Sequence, residues 1–417
     1  MIKPKKVLIL SFDLVREGES KTPYAIGSLI SYLKNDLKYG EEYLIHHHSI
    51  NLLEFPLSTP LYKILNGPIY SDYDYIAISA YIWNEYLLNR TLLFIRNELG
   101  FLGKFILGGY QISYSSNPEI DYPEGDYFIS GYAEESLKKV IKENPSKRKW
   151  NEFVEFSNLP SPYLTGDISV VQNQKMLRWE TKRGCPYKCS FCAHRDLEYS
   201  KVYKQSLDRV FNELYFFKNK NIQKVNIIDP IFNVGKDYLE VLKEAKRINY
   251  NNLISVQARF ELMNGERGEE ILNLCQDLNI HLEFGLQTAD KKESSLINRK
   301  NDPNKIQNVM RKLKERNISY EISLMYGLPN QTVSSFQRTI DFVRNNGCKI
   351  LTAYPLKLLK GTELYKEKKK YYFREMTMGD FHIPFVIESN TFSEKDWYKM
   401  KEIAESLEPT NRVIGFS

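Results

Sequence analysis

Cysteine is scarce in this sequence: five residues in 417, an odd number. Three of them lie within one stretch of eight residues, while Cys275 and Cys348 stand far apart. That distribution is not a disulfide framework, and it fits a reducing, cytoplasmic setting. No run of about 18 apolar residues is present, so no membrane-spanning helix is expected. The opening MIKPKKVLILSFD is basic and then apolar. No small-residue cleavage site follows it, so a signal peptide is not expected. Charge of one sign is not concentrated either. The formal net charge of +6 is spread along the chain, whereas a nucleic-acid partner calls for a clustered basic patch. No internal repeat at solenoid periods is seen.

What is present is an alternation of apolar runs and amphipathic stretches, in a chain long enough for two or three domains. Residues 1–142 read as strands at KVLILSFD (6–13), EYLIHHHSINL (42–52), DYIAISAYIWN (74–84) and GKFILGGYQIS (103–113). A short strand, a Gly turn and a helix follow in GDYFISGYAEESLKKVI (125–141). Strand–helix alternation of this kind predicts a doubly wound, Rossmann-like parallel sheet. Ligands on such sheets bind at the carboxyl ends of the strands. Residues 143–175 are charged and then rich in proline and turn formers (NLPSPYLTG, 158–166), and they read as a linker. A second series runs over 176–365, with strands expected at 176–181, 223–229, 253–258, 280–286, 318–325 and 349–356. Six βα units predict a partial TIM-type barrel, a (β/α)6 form. Residues 366–417 read as a short helical C-terminal extension. The class is therefore α/β throughout.

The cysteine cluster is RGCPYKCSFCAHRD (183–196), spaced C-x3-C-x2-C directly after the first strand of the second series. Thiolates suit iron and sulfide because both partners are soft. Three of them on one loop reach three irons of a four-iron cluster and leave the fourth iron open. A zinc site usually pairs two C-x2-C units or recruits histidines, and no second pair exists here. The motif in this position resembles the radical S-adenosylmethionine (SAM) superfamily, over roughly residues 170–365. The resemblance implies a [4Fe–4S] cluster on Cys185, Cys189 and Cys192, with SAM bound at the open iron and cleaved to a 5′-deoxyadenosyl radical. It also implies an electron donor such as a flavodoxin or ferredoxin. By the same likeness Phe191 lies near the adenine. Asp229, in NIIDPIFN (226–233), contacts the SAM amino group, although the family's usual Gly-Gly-Glu is absent. Glu283, in EFGLQT (283–288), reaches the ribose. Met325 and Gly327, in SLMYGLPNQT (323–332), form the turn against the adenine. YPLKLLKGTEL (354–364) resembles a common sixth-strand ending. Polar residues at the carboxyl ends of strands are where barrel chemistry is expected.

In the N-terminal half, ILGGYQIS and FISGYAEESL resemble the cobalamin-binding domain attached to many radical SAM enzymes. Ser79, Gly108, Gly109 and Gly131 occupy the matching positions, and glycine lets backbone approach a corrin closely. The Asp-x-His-x-x-Gly motif that supplies a lower histidine ligand is missing. His46, His47 and His48 do not match it and read as partly exposed strand residues. Some members of the superfamily lack that histidine and still bind cobalamin, and others keep the domain as scaffold; both stay open.

Three functions compete at this level. CAHRD and NIIDPIFN resemble the epimerases of ribosomal peptides, in which a radical takes a Cα hydrogen and a cysteine returns one. Cys348 is the candidate donor on this leading reading, with a peptide (or a small metabolite) as substrate. A buried free thiol is more commonly structural, and Cys275, in ILNLCQDL, reads as packing. The alternative is a cobalamin-dependent C-methyltransferase. A non-catalytic iron–sulfur electron carrier is the third.

Overall fold

The structure, a computed structural model, describes residues 3–56, 58–194, 201–379 and 381–407. The chain divides into two compact units. The first runs to Gln174 and includes Met378–Ile383; the second holds Lys175–Thr377 and the residues from Pro384 onward.

The first unit is built on a six-stranded parallel sheet: β1 (Lys5–Asp13), β2 (Tyr43–Asn51), β3 (Tyr75–Ser79), β4 (Lys104–Gly108), β5 (Tyr127–Ile129) and β6 (Lys149–Trp150). Their spatial order is β2-β1-β3-β4-β5-β6. Winding reverses beside β1, so helices cover both faces, and β1 is apolar on both sides. Leu8, Leu10 and Phe12 enter one core with Ile76, Ile78, Phe105 and Leu107. Val7 and Ile9 enter the other with Ile30, Leu33, Ile106 and Val140. Each such side chain contributes about 1.5–3 kcal/mol on burial. That explains why an unbroken apolar run, rather than an alternating one, marks this strand.

The segment 143–175 is not a linker. β6 extends the sheet, Phe156, Tyr163 and Ile168 are buried, and Asp167 is clasped to the helix Tyr24–Asp36. Ser31 and Lys34 of that helix each donate to the Asp167 carboxylate at 2.8 Å, and Thr165 donates at 2.7 Å. The prolines that suggest a connector instead turn a chain lying against its own domain.

The second unit contains β7 (Leu177–Trp179), β8 (Lys182–Arg183), β9 (Tyr203–Lys204), β10 (Lys224–Ile227), β11 (Leu253–Ala258), β12 (Ile280–Gln287), β13 (Ser319–Tyr326) and β14 (Ile350–Pro355). Six of these form a parallel sheet in the order β14-β13-β12-β11-β10-β7, and β8 pairs with β9 in a separate ribbon. Sequential order with right-handed crossovers places every helix on one face, which is the barrel-type arrangement. Burial alternates strictly along β12. Leu282, Phe284 and Leu286 are buried, while His281, Glu283, Gly285 and Gln287 alternate with them on the opposite face. On β13, Tyr326 packs on Phe336 of the helix Val333–Asn345, which identifies the helix side. The other face carries Ser319, Glu321, Ser323 and Met325.

After β14 the chain is not simply helical. β15 (Arg374–Met378) and β16 (Ile383–Glu388) pair as a ribbon, and the helix Glu394–Glu405 follows. Its Trp397 and Met400 are completely buried, and Trp397 lies 5.6 Å from the Tyr326 ring. No helix among the described residues is long and apolar enough to cross a membrane.

Burial by itself would raise the Asp167 carboxyl. Hydrogen bonds from Lys34, Thr165 and Ser31 outweigh it and hold the group below the usual carboxylate range. A depressed folded pKa stabilises fully above the unfolded value, about 3.9, and the contribution is lost as pH falls through the folded one. Asp167→Ala is therefore expected to lower urea stability by about 1–3 kcal/mol at neutral pH, with the difference from wild type shrinking below about pH 4.

Candidate active site

The cysteine loop begins where β7 ends. Asp229, completely buried, reaches across from the end of β10. Its Oδ1 accepts from the backbone N–H of Thr181 at 2.7 Å and of Lys182 at 2.9 Å, and its Oδ2 accepts from the Thr181 hydroxyl. Burial pushes this carboxyl up against the opposing pull of Lys182 and the hydrogen bonds. Three of its acceptor sites are taken by the root of the loop, so it acts as a positioning residue there.

Lys182 is itself buried. Its ammonium donates to the carbonyls of Phe232 and Val234 and lies over the rings of Phe232 (5.2 Å) and Tyr238 (5.6 Å). Desolvation brings its pKa down to about 8. Gly184 follows with φ of +82°, and a Cβ there would sit 2.3 Å from the Lys201 carbonyl oxygen. Only glycine fits that position.

The loop is then fastened from outside. The Ser190 N–H donates to the Ile297 carbonyl at 3.0 Å, Asn298 Nδ2 donates to the Lys188 carbonyl at 2.7 Å, and the Leu364 N–H donates to the Ser190 carbonyl at 3.0 Å. Cys185 and Cys189 are 8% and 5% exposed, and Cys192 is half-buried. Burial raises the Cys192 thiol to about 11; the His194 N–H on its sulfur lowers it, and the neighbouring Cys189 and Cys185 raise it again. No three His, Cys, Asp or Glu side chains among the described residues converge as a group that could hold a metal ion. A donor set of three soft thiols and no carboxylate, on one loop, fits an iron–sulfur cluster whose irons each take one ligand. Arg195 and Asp196 of the same motif lie outside the described residues.

Other expected residues come from the neighbouring strands. Phe191, within the loop, is half-buried. Glu283 lies midway along β12 on the face away from the helices and accepts from Ser255 Oγ at 2.6 Å. Met325 lies near the end of β13, and its carbonyl accepts from Gln331 Nε2 at 3.1 Å. Gly327 turns the chain with φ of +84°.

Sequence reasoning missed what holds that turn. Glu293, fully buried, accepts from Thr288 Oγ1 at 2.6 Å, Gln331 Nε2 at 3.3 Å and Ser335 Oγ. It ties the end of β12 to the GLPNQT turn. The Glu three residues into the helix Lys291–Leu296, after an Asp290 cap, was the available signal. Sequence reasoning also missed two arginines, Arg259 after β11 and Arg299 after β12, both of which reach Cys189.

Cys348 is not brought to this site. It precedes β14, and its Sγ donates to the Ile350 carbonyl at 3.1 Å. Burial pushes its pKa up to about 11. The cysteine loop leaves the carboxyl end of β7, and the strands are parallel, so the hydrogen-donor assignment fails on position. Cys275, buried and raised to about 12 by desolvation, is a packing residue.

In the first unit, Ser79, Gly108, Gly109 and Gly131 do come together along the carboxyl edge of β3, β4 and β5. Ser79 pairs with Gly108 in register. Gly109 has φ of +88°, and a Cβ there would lie 2.7 Å from the Ala80 carbonyl oxygen. Ser113, unforeseen, bridges two of these glycines: it accepts from the Gly131 N–H at 2.9 Å and donates to the Gly109 carbonyl at 3.0 Å. A Cβ on Gly131 would meet nothing within 4 Å, and one on Gly108 nothing closer than 3.8 Å. At Gly108 and Gly131 the edge thus has room for a Cβ, and at Gly109 it has none. Of the histidine triplet on β2, His46 is exposed and meets Tyr73, while His47 bonds Ser11 Oγ at 2.8 Å. Burial, then His48, brings His47 down to about 4.

A parallel α/β sheet wound in chain order, with a three-cysteine loop at its carboxyl edge, defines a class of iron–sulfur protein. Residues 179–343 match the family model described as the radical SAM superfamily, and the chain carries a radical SAM domain. It is 25% identical over 385 residues to the cobalamin-dependent radical SAM methyltransferase TokK of Streptomyces tokunonensis, covering 83% of this chain and 55% of that protein. It is 24% identical over 388 residues to a 2-(S-pantetheinyl)-carbapenam-3-carboxylate methyltransferase of Streptantibioticus cattleyicolor, covering 78% and 55%. The chain spans about half the length of these curated relatives. Among solved structures, the radical SAM methyltransferase TsrM of Kitasatospora setae, with cobalamin and a [4Fe–4S] cluster bound, shares the fold at a TM-score of 0.70 and 13% identity, over 100% of this chain and 92% of that one. The cobalamin-dependent SAM radical enzyme OxsB superposes at 0.70 with 14% identity, over 96% and 66%.

Asp229→Ala strands three donors in the interior. It is expected to cost at least about 2 kcal/mol in urea unfolding and to lower the iron retained after reconstitution. Asp229→Asn keeps an acceptor for both N–H groups, so its loss in both measurements is expected to be smaller.

Proposed function

We propose that this protein is a cobalamin-dependent radical SAM methyltransferase acting on a carbon of its substrate. The observation that carries the reading is the glycine edge of the first unit. Gly108 and Gly109 leave the carboxyl end of β4 without side chains, and Gly131 follows β5 after Ser130, in a chain that also holds a radical SAM domain. The strand order reverses beside β1, and such sheets take ligands at that end. The methyltransferase names of the curated relatives support the same choice. Nothing among them supports peptide epimerisation, and the misplaced Cys348 removes the residue that reading needed.

Cys185, Cys189 and Cys192 would hold the cluster, and Glu283 midway along β12, with Met325 and Gly327 at the end of β13, would hold SAM. When bound, the cluster and SAM supply a hydrogen-abstracting radical and the corrin supplies the methyl group. The protein's part is to orient these groups and exclude water. Asp229 fixes the root of the cysteine loop, and Glu293 fixes the turn after β13. On β2, His47 is committed to Ser11 and His46 to Tyr73. The substrate and a low-potential reductant are the remaining partners.

The test is anaerobic reconstitution with iron, sulfide, SAM and cobalamin. A corrin spectrum that co-purifies with the protein and 5′-deoxyadenosine formed on reduction are the expected results. Failure to retain any corrin would sink the methyltransferase reading. Gly108→Leu tests the edge itself, because Gly108 lacks a positive φ and the new Cβ meets Ile129 only at ordinary contact distance, 3.8 Å. It is expected to lower cobalamin retention at least tenfold with iron content unchanged. Cys189→Ala is expected to do the reverse, losing iron while keeping corrin.

A further inference from the structure

Two guanidinium groups converge on one cluster ligand. Arg259 Nη1 lies 4.0 Å from Cys189 Sγ, and Arg299 Nη1 lies 3.8 Å from the same sulfur. They come from different strands. Arg259 directly follows β11, and Arg299 follows the helix after β12. Each is held in place by its surroundings. Arg259 is 5% exposed, is stacked 3.7 Å from the Tyr187 ring centroid and is paired with Glu261 at 3.1 and 3.3 Å. Arg299 passes beside Gly285, where a Cβ would lie at ordinary contact distance, 3.7 Å, from Nη2. Its Nε is sealed from solvent and has no hydrogen-bond partner.

Two positive groups and one negative one, Glu261, therefore surround Cys189, a net charge of one positive unit. Charge in so dry a place is screened far less than in water. Net charge and hydrogen bonds to the ligand sulfurs are among the factors that set an iron–sulfur potential. Resting on the proposed cluster, we infer that Arg259 and Arg299 are positioning residues that stabilise the reduced cluster by donating to the Cys189 thiolate, and so raise its reduction potential. The step they favour moves one electron from an external reductant to the cluster, with no bond made or broken. The sign follows from charge alone: removing either arginine disfavours the added electron, and neutralising Glu261 favours it.

The experiment compares wild type with Arg299→Met, Arg299→Lys, Arg259→Met and Glu261→Gln. Each is reconstituted with iron and sulfide, assayed for iron, and titrated with dithionite while EPR follows the reduced cluster. Arg299→Met is expected to hold about tenfold less reduced cluster at a fixed potential, a fall of about 59 mV for one electron. Arg259→Met is expected to shift the same way, Glu261→Gln the opposite way, and Arg299→Lys to stay near wild type. Unchanged potentials in arginine variants that carry full iron would overturn the inference. So would Arg299→Lys falling as far as Arg299→Met, since the charge would then be irrelevant. Loss of iron from the methionine variant alone supports the role of charge; loss from the lysine variant as well overturns it. Wild type without iron removes the proposed cluster, and the inference with it.

Discussion

The site depends on one buried carboxylate. Asp229 sits at the end of β10 and binds the two backbone N–H groups that open the cysteine loop. A loop cannot present three sulfurs to an inorganic cluster unless its origin is fixed, because error at the root is carried to every ligand. A charged group with no exposure is costly to bury. Three hydrogen bonds and the field of Lys182 offset part of that cost here, and burial still pushes the carboxyl up. Lys182 is in turn held by two carbonyls and two aromatic faces, so the charges of this region form a chain of mutual support in the layer beneath the loop.

Much of this was legible in the sequence. The six barrel strands are apolar every second residue or throughout, and their observed limits fall close to those expected. The cysteines were legible because soft ligands at C-x3-C-x2-C spacing have few other uses. The glycines at 108, 109 and 131 stood out in the sequence, and the fold brings them to the carboxyl edge of one parallel sheet. Asp229 stood out in the sequence, but its bonds to Thr181 and Lys182 did not, since a sequence cannot show which backbone a carboxylate meets.

What escaped came from contacts between distant parts of the chain. Arg259 and Arg299 lie 70 and 110 residues from Cys189 in sequence, and an isolated arginine after a strand carries no pattern. The same applies to Glu293, which looks like a first-turn helix residue until the folded chain brings Gln331 and Ser335 to it. The region 158–174 misled in the opposite direction. Its prolines and small residues suggest a free connector, but Asp167, Tyr163 and Ile168 bind it to the helix before β2.

The second unit carries its apolar mass between strands and helices, while the opposite face of its sheet bears Ser255, His281, Glu283, Ser319, Glu321, Ser323 and Thr352. Stability and selectivity are therefore written on separate surfaces of the same strands. Residues on the polar face lie apart from the layer packed between strands and helices, although Ser255, Glu321 and Thr352 are buried there too. A scaffold of this kind can drift from one substrate to another by small edits, keeping its melting behaviour while its chemistry is redirected.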